Sequence, residues 1–238
     1  MTLRSDAMMV LFYDIEGDTA DHDDWHSYEH FHERLSVPGF LRATRWIATE
    51  ASPRYLVTYE VSDVDVATSQ AYLDRLNNPS EWTRAMMPRF RGMIRGFCTV
   101  STSTGFGLGA AAVGIRFQPE AGKEAELVTW LSKEALPSMM EARGVVGAHL
   151  LKPTPTPPMT QEQALRGADI PMPWLILVTS YNREALDAAV AAHLAEADLR
   201  KMAGTDLEMG RYAIHYTADS DEVARTAALP VLTAPGRK

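Results

Sequence analysis

Four of the seven histidines in this 238-residue chain fall within HDDWHSYEHFHER, residues 22–34. The central HSYEH spells H-x-x-E-H, the ligand spacing of inverted zinc peptidases. On an α-helix His26, His30 and Glu33 share one face, and zinc would need three or four such ligands in tetrahedral array. The same histidines can also work without metal, because an imidazole titrates near neutrality and can carry a proton from one atom to another. The third reading is a solvated polar face. On an ideal wheel Trp25, Tyr28, Phe31 and Leu35 form the buried stripe, which places His26 and His30 in solvent and His32 inside beside Tyr28.

An internal match weighs these readings. Shifted by 105 residues, Trp25, Ser27, Glu29 and Gly39 fall on Trp130, Ser132, Glu134 and Gly144, whereas His26, His30 and His32 fall on Leu131, Ala135 and Pro137. A scaffold that occurs twice carries the histidines once, which favours a role special to the first copy. It also leaves no room for a peptidase scaffold, so no metal is expected. Further along, LVT at 56–58 matches LVT at 177–179 with a larger offset. The added residues fit the proline-rich stretch 152–173, a long inserted loop of the kind that serves as a lid or contact arm.

The elements that must position these residues follow from patterning. MMVLFYDI reads as a strand. DDWHSYEHFHERLS reads as a helix capped by Asp23 or Asp24 and ended at Pro38-Gly39. LRATRWIATE and RYLVTYEV alternate like neighbouring strands. SQAYLDRLNNPSEWTRAMMPRF is helical on both sides of a break at Asn78-Pro79, and GMIRGFCTV closes as a strand. The second half gives the same β-α-β-β-α-β order. The expected fold class is therefore α+β. Two tandem ferredoxin-like βαββαβ repeats, residues 1–104 and 105–238, pack their antiparallel four-stranded sheets as an α+β barrel. A flexible STSTGFGLG linker joins them, and the tail after Thr217 lacks periodicity.

Composition narrows the function classes. With 31 acidic against 23 basic residues the net charge is −8, which disfavours nucleic acid and anionic membranes as partners. One cysteine, Cys98, leaves no intrachain disulfide, and the short apolar run at the N-terminus gives no signal or spanning segment, so a cytoplasmic protein is expected. No nucleotide or dinucleotide loop and no serine elbow is present, and no cofactor is expected.

The stretches W-x-x-x-EH-x-x-ER-x-x-VPGF (25–40), PRYLVTYE (53–60) and NNPSEWT (77–83) resemble the dimeric α+β barrel superfamily, in its EthD-like branch. The resemblance implies that His30 faces a ligand cleft. It further implies an isomerase of a small unsaturated or oxo acid from aromatic ring cleavage, and a homodimer. On that reading His30 is the base, Tyr28 and His32 are its partners, and Glu29 and His26 support it. Arg45 binds the carboxylate of an acidic small-molecule substrate, with Tyr55, Asn78 and Trp82 completing the cleft. A cofactor-free oxygenase of an aromatic, and a non-enzymatic ligand-binding or scaffold protein, are the alternatives.

Overall fold

A computed structural model of the chain describes residues 3–202 and 204–226. In the first half, strand β1 (Ala7–Ile15) leads into helix α1 (19–35), then strands β2 (Phe40–Glu50) and β3 (Tyr55–Val61). Helices α2 (Gln70–Asn77) and α3 (Glu81–Met86) and strand β4 (Phe90–Gly105) complete it. The second half runs β5 (Ala111–Pro119), α4 (124–139) and β6 (Val145–Pro153). A strap follows, carrying α5 (Gln161–Ala164) and the two-residue strand β7 (Ile170–Pro171). Then come β8 (Trp174–Ser180), α6 (Arg183–His193), α7 (Glu196–Lys201), β9 (Gly204–Asp219) and α8 (Ser220–Arg225).

The strands order β4-β1-β3-β2 in one half and β9-β5-β8-β6 in the other. Pairing of β2 with β9 and of β4 with β6 joins them, and all eight pairings are antiparallel. The result is an α+β fold built on a closed eight-stranded barrel, and closing the sheet leaves no bare edge. The barrel closes within one chain. Strand alternation sorts the core. Met8, Val10, Phe12, Trp46 and Leu56 point inside. Met9, Tyr13, Tyr55, Val57 and Tyr59 face outward under α1 and α2, and a matching outer cluster lies under α4 and α6.

Three expectations are corrected. First, the helix starts a turn early: Asp18, not Asp23 or Asp24, caps it by accepting from the Ala20 amide at 2.9 Å, so His22 belongs to the helix. Second, Ser101–Gly105 is not a flexible linker. These residues extend β4 and pair with β6 from Thr102↔Leu150 to Gly105↔Gly147. Third, the segment after Thr217 is ordered through the helix Ser220–Arg225, which Asp219 and Glu222 cap reciprocally. The rest of the expected tail, 227–238, lies outside the described residues. The break at Asn78-Pro79 is present. Ser80 caps α3 by accepting from the Thr83 amide at 3.0 Å, and the Asn78 side chain donates to the Asp74 carbonyl at 2.8 Å.

Gly39 and Gly144 end the two long helices at φ +96° and +99°. A Cβ at Gly39 would also meet Val66 at 2.5 Å, so a side chain there is excluded on both conformational and steric grounds.

Candidate active site

Inside α1, residues His26–His30 form a π turn, with the Phe31 amide donating to the His26 carbonyl five residues back. The extra residue in that turn sets everything after it back by roughly 100° relative to an ideal α-helix. The consequence overturns the wheel. His22, Trp25, His26, His30, Phe31 and Arg34 now point together at the outer face of the β1–β3 sheet, all of them buried. Tyr28 turns out to solvent at 41 % exposure. His32, expected inside, is partly exposed and lines a surface groove with Ser36, Pro38 and Val223.

The buried histidines sit in a chain of polar contacts. The Tyr13 hydroxyl meets His22 Nε2 at 3.1 Å, and His22 Nδ1 meets Asp23 Oδ1 at 3.0 Å. Tyr55 donates to the same carboxylate oxygen at 3.0 Å. Burial alone would raise the Asp23 carboxyl, but the His22 hydrogen bond and the Arg45 charge outweigh it and hold it below the usual range. Burial lowers His22 despite Asp23, and pushes Tyr13 well above its ordinary value. So at neutral pH this row is a protonated phenol, a neutral imidazole and a carboxylate that reaches partly into solvent.

His26 and His30 are different. His26 Nε2 meets the Tyr59 hydroxyl at 3.2 Å, while its Nδ1 and the Nδ1 of His30 are buried without any partner. His30 stacks on Trp25 with ring centroids 4.3 Å apart. Burial, then neighbouring arginines, lower both imidazoles well below their ordinary value. Arg34 is 2 % exposed. Its Nη2 donates to both Glu162 carboxylate oxygens, at 2.5 and 2.7 Å, and its Nη1 has no partner.

These groups enclose a cavity of ≈ 30 Å³, walled also by Met9, Tyr72, Met87, Phe90 and Arg95. That volume holds a water or two. The strap roofs it. Glu162, Gln163 and Arg166 line the cavity. Asp169 pairs with Arg166 at 2.8 Å and with Arg95 at 3.5 Å, while β7 runs parallel to β4 at Ile94 and Arg95. The proline-rich stretch that belongs to the second half thus covers a site built by the first.

The remaining expected site residues lie around the cavity rather than on it. Arg45 is buried but committed: it donates to Ser27 Oγ at 2.9 Å, to the Asp23 carbonyl at 3.1 Å and to His215 Nδ1 at 3.0 Å. Tyr55 stacks on Tyr13 behind the cavity. Trp82 packs at the edge of the same core, and Asn78 is an exposed cap. Glu29, expected to orient an imidazole, instead accepts from the Ser80 and Thr83 hydroxyls at the start of α3; Asp23 orients His22. Sequence patterning gave no role to Tyr13, Tyr59, Tyr72, Arg34 and Glu162, and it left His22 and Arg95 as members of a histidine cluster and a basic group. The signal available was the spacing of His22, His26 and His30 at four-residue steps together with Arg34. Among the described residues no three histidine, cysteine or carboxylate side chains gather so as to hold a metal ion, and no helix is long and apolar enough to cross a membrane.

Solved structures share this architecture. An anthrone oxidase-like protein superposes with a TM-score of 0.63 over 92 % of this chain and 96 % of its own, at 10 % identity. Two proteins assigned as monooxygenases are similar in the same way. One is from Lactobacillus acidophilus, with TM-score 0.58, 10 % identity and coverage of 90 % and 96 %. The other is from Fusobacterium nucleatum, with TM-score 0.56, 9 % identity and coverage of 91 % and 96 %. The chain shares their α+β barrel fold. At such identities the likeness is one of fold, and none of these names is an isomerase. No protein-family model and no curated protein matches the sequence.

Proposed function

We propose that this chain is a cofactor-free oxygenase of a small neutral aromatic bearing an acidic methylene or hydroxyl, such as an anthrone-type ketone or a phenol. The observation that carries this reading is an aromatic- and methionine-walled cavity under the strap, which must lift for an aromatic of this size to enter. It holds an unpartnered neutral imidazole, His30, and a phenol, Tyr13, backed by His22 and Asp23. For a methylene substrate His30 takes a proton from carbon, and the C–H electron pair stays as a delocalised carbanion. The carbanion passes one electron to dioxygen, and the radical and superoxide combine to a peroxide. The peroxide regains the proton from the imidazolium and eliminates water, so that one methylene and one dioxygen become one carbonyl and one water. Tyr13 hydrogen-bonds the departing oxygen, and His22 with Asp23 restores its proton.

An isomerase would share the first proton transfer, and the dyad of Tyr13 and His22 suits it equally. Its acidic substrate has less support. Arg45 is fully engaged away from the cavity, and the one free donor of Arg34, Nη1, can take a single oxygen but not a bidentate carboxylate. The π turns at matching positions support reading 1–104 and 105–238 as two copies of one unit of the EthD-like kind. A homodimer in the cytoplasm remains part of the proposal.

An oxygen electrode tests the reading with anthrone and a panel of naphthols. We expect uptake of one dioxygen per substrate, lost in His30→Ala. Conversion of an unsaturated acid without oxygen uptake would establish the isomerase instead. Saturable ligand binding without turnover of either kind would establish the non-enzymatic role.

A further inference from the structure

Two of the polar atoms left over in the cavity are donors that ask for the same kind of ligand. Of the five buried side-chain atoms without a partner among the described residues, three belong to cavity-lining residues: His26 Nδ1, His30 Nδ1 and Arg34 Nη1. Each of these residues is more than nine-tenths buried, so bulk water does not satisfy them. Arg34 Nη1 is a cationic donor at any pH. Tyr59 has His26 Nε2 as its hydrogen-bond partner, and its phenol is held protonated by burial. With Tyr59 donating, His26 carries its own proton on Nδ1, a second free donor.

Charge points the same way. Three guanidiniums, Arg34, Arg95 and Arg166, line the cavity, and two carboxylates, Glu162 and Asp169, are bonded to them. One positive charge is left without a carboxylate partner in a largely buried site. A buried charge in that position calls for a partner.

We infer that the space between His26, His30 and Arg34 is a binding site for a small monoanion, which the strap residue Glu162 tunes by competing for Arg34. In the catalytic reading above, the ligand is the single oxyanion of the ionised substrate or the superoxide formed when that anion reduces dioxygen. The anion site rests on that reading only for this identity. Glu162 fixes the guanidinium through one nitrogen and leaves the other for the ligand. Binding therefore uses a residue of the first half held in place by a residue of the second.

Azide is the probe, being a small monoanion that can enter a cavity of this size. It is titrated into the whole protein at constant ionic strength and followed by calorimetry and by the fluorescence of Trp25 against His30. We expect saturable binding in the wild type. The double variant Arg34→Met with Glu162→Gln, which removes one ion pair as a unit and keeps the net charge of the lining, should weaken binding about tenfold or more, as befits loss of a charge-assisted hydrogen bond. Glu162→Gln alone should tighten it, because the competing carboxylate is neutralised. No saturable azide binding in the wild type, equal binding in the double variant, or weaker binding in Glu162→Gln each overturns the proposal. Where the double variant does not fold, the direction of change in Glu162→Gln decides. None of these readouts depends on turnover, so absence of oxygen uptake with azide still bound removes the oxygenase reading and keeps the site.

Discussion

Helix α1 and helix α4 are two uses of one backbone. Both turn through a five-residue π segment, His26–His30 in one and Leu131–Ala135 in the other, 105 positions apart. Burial matches along the pair. His22 and Leu127, His26 and Leu131, His30 and Ala135, Phe31 and Leu136, and Arg34 and Met139 are all buried, while Tyr28 and Lys133 are both exposed. At these positions only the chemistry differs. Under α4 the inward row is wholly apolar and joins a closed core. Under α1 the same row is imidazole and guanidinium and surrounds a cavity with unpaired nitrogens. The π turn is thus a device of the fold, and the site is what side chains make of one of its two copies.

The strap breaks the symmetry as well. The turn between β2 and β3 spans residues 51–54, whereas the matching connection in the second half carries the strap with α5 and β7. That extra chain crosses to the first half, where Asn77 accepts from the Gln161 amide at 3.1 Å.

Installing the apolar row of α4 in α1 gives the largest expected effect. The triple variant His22→Leu, His26→Leu, His30→Ala should lower oxygen uptake on the order of 10³-fold, the range of acid–base catalysis. Its thermal midpoint should fall, since the buried Tyr13 and Tyr59 hydroxyls lose the imidazoles that partner them. Retained uptake would place the chemistry elsewhere.

The next contrast is between Arg34 and Met139. Arg34→Met leaves Glu162 buried without its cation and should cost about 3–4 kcal/mol in urea denaturation. Met139→Leu, at the equivalent position, should cost under about 1.5 kcal/mol. Equal losses would mean that solvent reaches Glu162.

The halves should also separate in acid. His22, His26 and His30 have pKa values lowered by burial in the folded protein, so below pH ~6.5 the unfolded chain binds more protons than the native one. Stability is then complete above about pH 6.5 and falls with decreasing pH, by up to about 1.4 kcal/mol per pH unit for each such histidine. His149 in β6, pushed down to about 4, and the lowered His215 add to the same loss. His26→Leu with His30→Ala should therefore flatten the fall between about pH 6.5 and 5 relative to the wild type. An unchanged slope would mean that these imidazoles are hydrated.

The fold was legible because its signals are local. Strand alternation, the Asn78-Pro79 break and the glycines at 39 and 144 each act within a few residues. The match of Trp25, Ser27 and Glu29 to the second half singled out the histidines of α1, and His26 and His30 line the cavity. What patterning missed has two physical causes. A π turn leaves no mark on composition, yet it rotates every later residue, which is why Tyr28 and His30 exchanged sides. The other partners are remote in sequence: Glu162 lies 128 positions from Arg34, and Tyr13, Tyr59 and Tyr72 read as ordinary core.

The smallest effect tests that rotation directly. An ideal α-helix would put Tyr28 in the buried stripe, where losing its hydroxyl would disturb a partner and the proton chemistry. With the π turn in place Tyr28 is at the surface and does not line the cavity. Tyr28→Phe should therefore shift stability by less than about 0.5 kcal/mol and change turnover by no more than about twofold. Tyr13→Phe, whose hydroxyl meets His22 in the cavity, should lower turnover while Tyr28→Phe does not. A tenfold loss in Tyr28→Phe would restore the straight helix in solution and turn His30 outward.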